Sequence, residues 1–251
     1  MTSKKNIYFA SDAHFGAKTL KNSIENEKRF VRWLDSIKHD AEAVYLVGDM
    51  IDFWFEYKHV VPKGYTRFLG KLAELTDMGV KVHWFIGNHD IWIFGYIQQE
   101  TGAIVHHQPL IKEFNGKKFF IGHGDGLGDN SFAFKLIRTV FHNKLAQRLF
   151  GWIHPDGAIA FALGWSKSSR ESGSREYKDY LGEDKEHLVI YAKEFLQTQP
   201  EINFFIFGHR HIMLDLMLAR TSRVIILGDW IQHFSYAVWN GNDMRLEQFE
   251  V

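Results

Sequence analysis

The sequence predicts an α/β fold built on parallel strands, and three features of its pattern predict it. Short apolar runs recur at 7–10, 43–47, 80–86, 118–121, 203–207 and 224–227, each ending in small or polar residues. Stretches with helical spacing, such as 27–37 and 65–77, lie between them. This alternation is the signature of helices crossing over between neighbouring parallel strands. The C-terminal end differs, because 234–239, then Asn240-Gly241-Asn242-Asp243, then 244–249 reads as a β-hairpin.

Taken in order, each apolar run is too short for a helix and is closed by a glycine or a polar cluster, as strand ends are. The stretch from 127 to about 187 breaks the rhythm. It lacks a convincing strand and reads as helical, with Phe134, Ile137, Phe141, Leu145 and Leu149 spaced three and four apart along one helix face. Trp152, Ile153, Ile159, Phe161, Leu163 and Trp165 continue the apolar load past Pro155. Between 135 and 170 six basic residues stand against the single acid Asp156. The organisation expected is one domain over 1–251 with a basic, aromatic-rich helical cap inserted at about 127–187.

Composition narrows the function. Thirty Lys and Arg balance thirty Asp and Glu, so no global field favours nucleic acid, and no nucleic-acid partner is expected. There is no cysteine, so disulfides and thiolate metal sites are excluded and any metal must take nitrogen and oxygen donors. No apolar run approaches the roughly 18–20 residues of a membrane span, and the N-terminal run is too short for a signal peptide. The location expected is cytoplasmic, at the inner face of the membrane as a peripheral protein, with no obligate protein partner inferred.

The chemistry sits where the apolar runs stop. The runs are followed by Asp12-Ala13-His14, by Gly48-Asp49, by Gly87-Asn88-His89-Asp90, by Gly122-His123-Gly124-Asp125 and by Gly208-His209-Arg210-His211. Ligands of open parallel sheets bind beyond the carboxyl ends of the strands, so five such motifs can meet at one place. Asp12 and His14 are two apart and would project to the same side of extended backbone, as would His209 and His211. Carboxylates, neutral imidazoles and a carboxamide suit two divalent ions, Mn with Fe or Zn as alternatives, better than an all-oxygen Ca or Mg cage. Two such ions can clamp a phosphoryl group and supply hydroxide at neutral pH.

In this order the five motifs resemble the calcineurin-like metallophosphoesterases, over roughly 7 to 230. The resemblance implies a β-sandwich flanked by helices. It implies one metal on Asp12, His14 and His211, another on Asn88, His123 and His209, and Asp49 bridging. It also implies that His89 meets the scissile phosphate as a catalytic residue beside Asp49. Asp90, next to His89, and Asp125, two residues after His123, read as carboxylates that orient these histidines rather than bind metal. Residues 48–54 and 224–230 resemble a lipid-directed branch that cleaves the pyrophosphate of a nucleotide-linked lipid under a helical cap, although many of its members carry Arg where this chain has His89. Ser166, Lys167 and Arg170 are then candidates for phosphate or sugar contact. The residues alone leave open a phosphodiesterase or phosphatase acting on a soluble phosphoester.

Overall fold

The computed structural model describes residues 6–18, 20, 22–128, 139–173 and 179–250. The strands are β1 (Asn6–Ala10), β2 (Ala41–Val47), β3 (Lys81–Phe85), β4 (Ile104–His106), β5 (Leu110–Phe114), β6 (Lys117–Ile121), β7 (Ile202–Phe207), β8 (Met213–Ala219), β9 (Ser222–Leu227), β10 (Ser235–Trp239) and β11 (Met244–Gln248). They form two sheets, ordered β11-β10-β1-β2-β3-β4 and β5-β6-β7-β9-β8. β1 to β4 run parallel, as do β6, β7 and β9. Antiparallel pairing enters at the edges, through the β10–β11 hairpin, β5 and β8.

The runs are apolar throughout because both faces of these strands are covered. Alternate residues of β1 and β2, Ile7, Phe9, Ala43, Tyr45 and Val47, pack with Phe119, Ile121, Phe204 and Ile206 between the two sheets. Their neighbours Tyr8, Ala10, Val44 and Leu46 pack outward on two helices. These are α1 (Ser23–Ile37) and α2 (Thr66–Asp77), which bury Phe30, Trp33, Leu34 and Ile37, and Phe68, Leu72 and Leu75. Such i, i+3, i+4 and i+7 spacing is what makes them helices on a sheet. The short α3 (Tyr96–Thr101) precedes β4. On the far side, Leu188, Val189 and Ala192 of a helix at His187–Thr198 cover Phe120, Phe205 and Phe207. The result is a sandwich of two sheets with helices on both outer faces.

Between β6 and that last helix the described residues hold helices and no strand: a turn at 139–142, α4 (Lys144–Phe150) and α5 (Pro155–Gly173), so the helix at His187–Thr198 is α6. The continuous apolar face expected from Phe134 to Leu149 is broken at Asn143. Its side chain accepts hydrogen bonds from the amides of Leu145 (2.9 Å) and Ala146 (3.1 Å) and starts α4 afresh. Phe134 and Ile137 lie outside the described residues. Leu145 and Leu149 are exposed, while Phe141, Phe150, Ile159 and Leu163 seat the insert on Phe53, Phe55 and Trp92.

Candidate metal centre

The loops after β1, β2, β3, β6 and β7 all open at one end of the sandwich, and backbone hydrogen bonds lace them together. The amide of Asp12 donates to Gly48 O (3.1 Å), that of His14 to Asp49 O (3.0 Å), and that of Gly208 to His123 O (2.9 Å). The extended backbone expected at Asp12, His14, His209 and His211 is not what forms. All four, and Asp49, have φ between 45° and 67°, five of the eight described non-glycine residues with positive φ. Left-handed backbone costs these side chains energy and persists only where the surroundings fix it. Gly87 has no room for a side chain, since a Cβ there would lie 2.1 Å from Asp49 Oδ1.

Three sets of donor atoms converge to within 4.8 Å: Asp12, His14 and His211; His14, Asp49 and His89; and Asp49, His123 and His209. Asp49 belongs to two of them, with its Oδ2 3.6 Å from His14 Nε2 and 3.3 Å from His123 Nε2. His211 Nε2 lies 3.4 Å from Asp12 Oδ1. The other Asp49 oxygen accepts from the His89 amide at 2.9 Å. Asp12 Oδ1, Asn88 Oδ1 and His123 Nε2 are buried and have no hydrogen-bond partner among the described residues. Buried polar atoms left so are costly, and cations bound by these carboxylate, imidazole and carboxamide donors would satisfy them.

Burial alone would raise the carboxyl groups of Asp12 and Asp49. The imidazoles outweigh it, His211 first at Asp12 and His123 first at Asp49, so Asp12 sits at about 2 and Asp49 well below the usual carboxylate range. Burial, reinforced by His123, pushes His209 down to about 3 and leaves it neutral at pH 7. Ionised carboxylates and neutral imidazole are the forms that bind metal.

The orienting contacts differ from those expected. Asp90 does not address the His89 ring; its oxygens accept from the amides of Met50 (2.9 Å) and Gly87 (2.7 Å) and from Trp84 Nε1 (3.1 Å), so it pins two loops together. Asp52 faces His89 instead. Its main-chain oxygen is 3.0 Å and its Oδ1 3.4 Å from His89 Nδ1, and Oδ1 is also 3.3 Å from His14 Nδ1. His123 Nδ1 is fixed at 2.8 Å by the carbonyl of Val47. Asp125 lines, with His123 and Gln108, a cavity of about 240 Å³. Ser166 does not project into open space: it is buried on α5 and its hydroxyl donates to the Asp52 carboxylate at 3.0–3.1 Å. Lys167 is exposed, and the Arg170 side chain lies outside the described residues.

One residue of the centre goes unassigned in the sequence. Asp229 accepts from the amides of Ile231, Gln232 and His233 through Oδ1 and places Oδ2 3.3 Å from His211 Nδ1. A carboxylate behind a ligating imidazole fixes its tautomer and orientation. Gly228-Asp229 after β9 repeats the strand-end pattern of Gly48-Asp49, which is the signal that could have found it.

A family model described as calcineurin-like phosphoesterase matches residues 5–213. The chain belongs to that family. It is similar to the UDP-2,3-diacylglucosamine hydrolase of Porphyromonas gingivalis, with 43% identity over 258 residues that cover 98% of each chain. It is also similar to the enzyme of that name from Haemophilus influenzae, with 26% identity over 234 residues covering 92% of this chain and 93% of the relative. Among solved structures, a phosphoesterase from E. coli aligns with a TM-score of 0.47 and 12% identity, covering 97% of this chain and 92% of that one. This phosphoesterase is therefore a hydrolase whose family implies divalent metal ions, and the three sets of donors are its candidate sites. No helix among its described residues is long and apolar enough to cross a membrane.

Proposed function

We propose that this phosphoesterase hydrolyses the pyrophosphate bond of UDP-2,3-diacylglucosamine, giving UMP and 2,3-diacylglucosamine 1-phosphate (lipid X). The observation that carries this reading is the 43% identity to a hydrolase of that name across 98% of both chains. Asp12, His14 and His211 would hold one ion, Asn88, His123 and His209 the other, with Asp49 touching both. Imidazole and carboxylate together suit Mn²⁺, with Fe or Zn also compatible. When bound, the two ions supply Lewis acidity at the phosphoryl oxygens and lower the pKa of water.

The protein's own contribution is to place and protonate. With Nδ1 of His89 committed to Asp52, the ring meets substrate through Nε2, where it can donate a hydrogen bond or a proton to the oxygen that leaves phosphorus. Asp90 and Asp125 would steady the loops that carry Asn88 and His123. Ser166 ties the insert to Asp52, and so to the His89 ring, next to the bond that breaks. Lys167 and Arg170, further along the same helix, are the proposed contacts to diphosphate or sugar. Acyl chains leave this centre beneath the insert, whose outer face exposes Leu145, Leu149, Trp152, Phe161 and Trp165 beside Lys144 and Arg148. That mixture of apolar and basic side chains fits an anionic membrane surface at the cytoplasmic face.

Incubating the Mn-loaded protein with UDP-2,3-diacylglucosamine in detergent should release UMP and lipid X in equal amounts, and a chelator should stop it. Failure to release either, while the same preparation cleaves a simple phosphodiester, would keep the metal chemistry and discard this substrate.

A further inference from the structure

In Gly208-His209-Arg210-His211 the two imidazoles join different sets of donors, His209 with Asp49 and His123, and His211 with Asp12 and His14. The residue between them governs how the chain steps from one set to the other. That residue is an arginine, and it is buried, with 3% of its surface exposed. Its Nε donates to Glu186 Oε1 at 2.7 Å and its Nη2 to Glu186 Oε2 at 3.0 Å. Nη2 also reaches the carbonyl of Asp179 at 3.4 Å, in the segment by which the insert returns to α6. Glu186 is wholly buried at the N-cap of α6.

A fork-to-fork pair of this kind fixes direction as well as distance. Taking two charges out of water is a poor route to stability alone, since apolar side chains of similar volume commonly do as well. The backbone on either side needs such a brace: His209 and His211 have φ of 67° and 53°. On the other side of the loop, the His209 amide donates to Asp12 Oδ2 at 2.8 Å. The step between the two histidines is thus gripped from the metal side by Asp12 and from behind by Glu186.

We infer that Arg210 and Glu186 are positioning residues that set the separation of the two metal ions, by holding the His209–His211 step rigid against α6. The inference rests on His209 and His211 binding different ions.

The test uses the Glu186→Met/Arg210→Met double variant, because either single change leaves a lone buried charge. Its metal-free form should melt close to the metal-free wild type. Its Mn²⁺ affinity should fall by about tenfold or more, on the scale of losing an outer contact to a ligand. It should also lack the spin-coupled two-manganese signal expected of the Mn-loaded wild type by electron paramagnetic resonance. Arg210→Lys, which keeps the charge but not the fork, should move both readouts in the same direction and serves if the double variant does not fold. Wild-type affinity with an intact coupled signal in a folded variant overturns the inference. Wild type that takes up fewer than two Mn²⁺ overturns the ligand assignment beneath it.

Discussion

Asp49, like His14, belongs to two of the three donor sets, and its other oxygen is held by the amide of His89. Asp49→Ala should therefore remove metal and turnover together, with bound metal falling from two ions to one or none and activity by about 10³-fold or more. Elemental analysis beside the product assay checks this, and near-normal activity contradicts it. His89→Ala should separate the two effects: metal content stays at two ions while kcat falls by about 10²- to 10⁴-fold, the range for a positioned acid. The residue types and their order make this centre legible in the sequence, because each motif abuts an apolar run and the fold brings the run ends together. What the sequence hides is which group supports which. Asp52, Val47 and Asp229 face His89, His123 and His211 through loop geometry that no spacing encodes. The left-handed backbone at these donors is equally silent, since Asp and His, though they tolerate positive φ better than most side chains, mostly adopt negative φ.

At the scale of elements, legibility follows burial. Strands β1, β2, β3, β6, β7 and β9 read as apolar runs because both faces are covered. β4, β5 and β8 do not, because they lie at sheet edges and present mixed or alternating faces, as in Met213–Ala219. His106, which follows no clean run in the sequence, proves to end β4, and its Nε2 lies 2.8 Å from Nδ1 of His83 on β3. Burial, with His106 beside it, pushes His83 down to about 4 from 6.5. The unfolded chain thus takes up a proton near pH 6.5 that the folded chain refuses until about pH 4. The contribution is present above pH 6.5 and is lost as pH falls toward 4. His83→Phe should flatten the loss of thermal stability between pH 7 and 4.5 relative to wild type; an identical slope contradicts the assignment. The insert makes a second test. Ser166→Ala removes its buried hydrogen bond to the Asp52 carboxylate, a contact between residues 114 apart that no pattern announces. It should cost about 1.5–3 kcal/mol, as bonds to charged groups do, and speed limited proteolysis within α5. Unchanged stability and cleavage would mean that the insert is held by its aromatic seat alone.

Across the whole molecule, two sheets that share an apolar interior bring their strand ends to one edge, and the centre needs both. Asp12, Asp49 and Asn88 follow strands of the six-stranded sheet, and His123, His209 and His211 follow strands of the five-stranded one. Two of the three donor sets, Asp12 with His14 and His211 and Asp49 with His123 and His209, draw on both sheets, so the packing of one sheet on the other shapes the candidate centre. Diffraction from Mn-loaded crystals on both sides of the manganese absorption edge tests the two-sheet centre most directly. The account predicts two anomalous peaks, one touched by Asp12, His14 and His211, the other by Asn88, His123 and His209, with Asp49 reaching both. A single peak, or peaks that Asp49 does not touch, would contradict it.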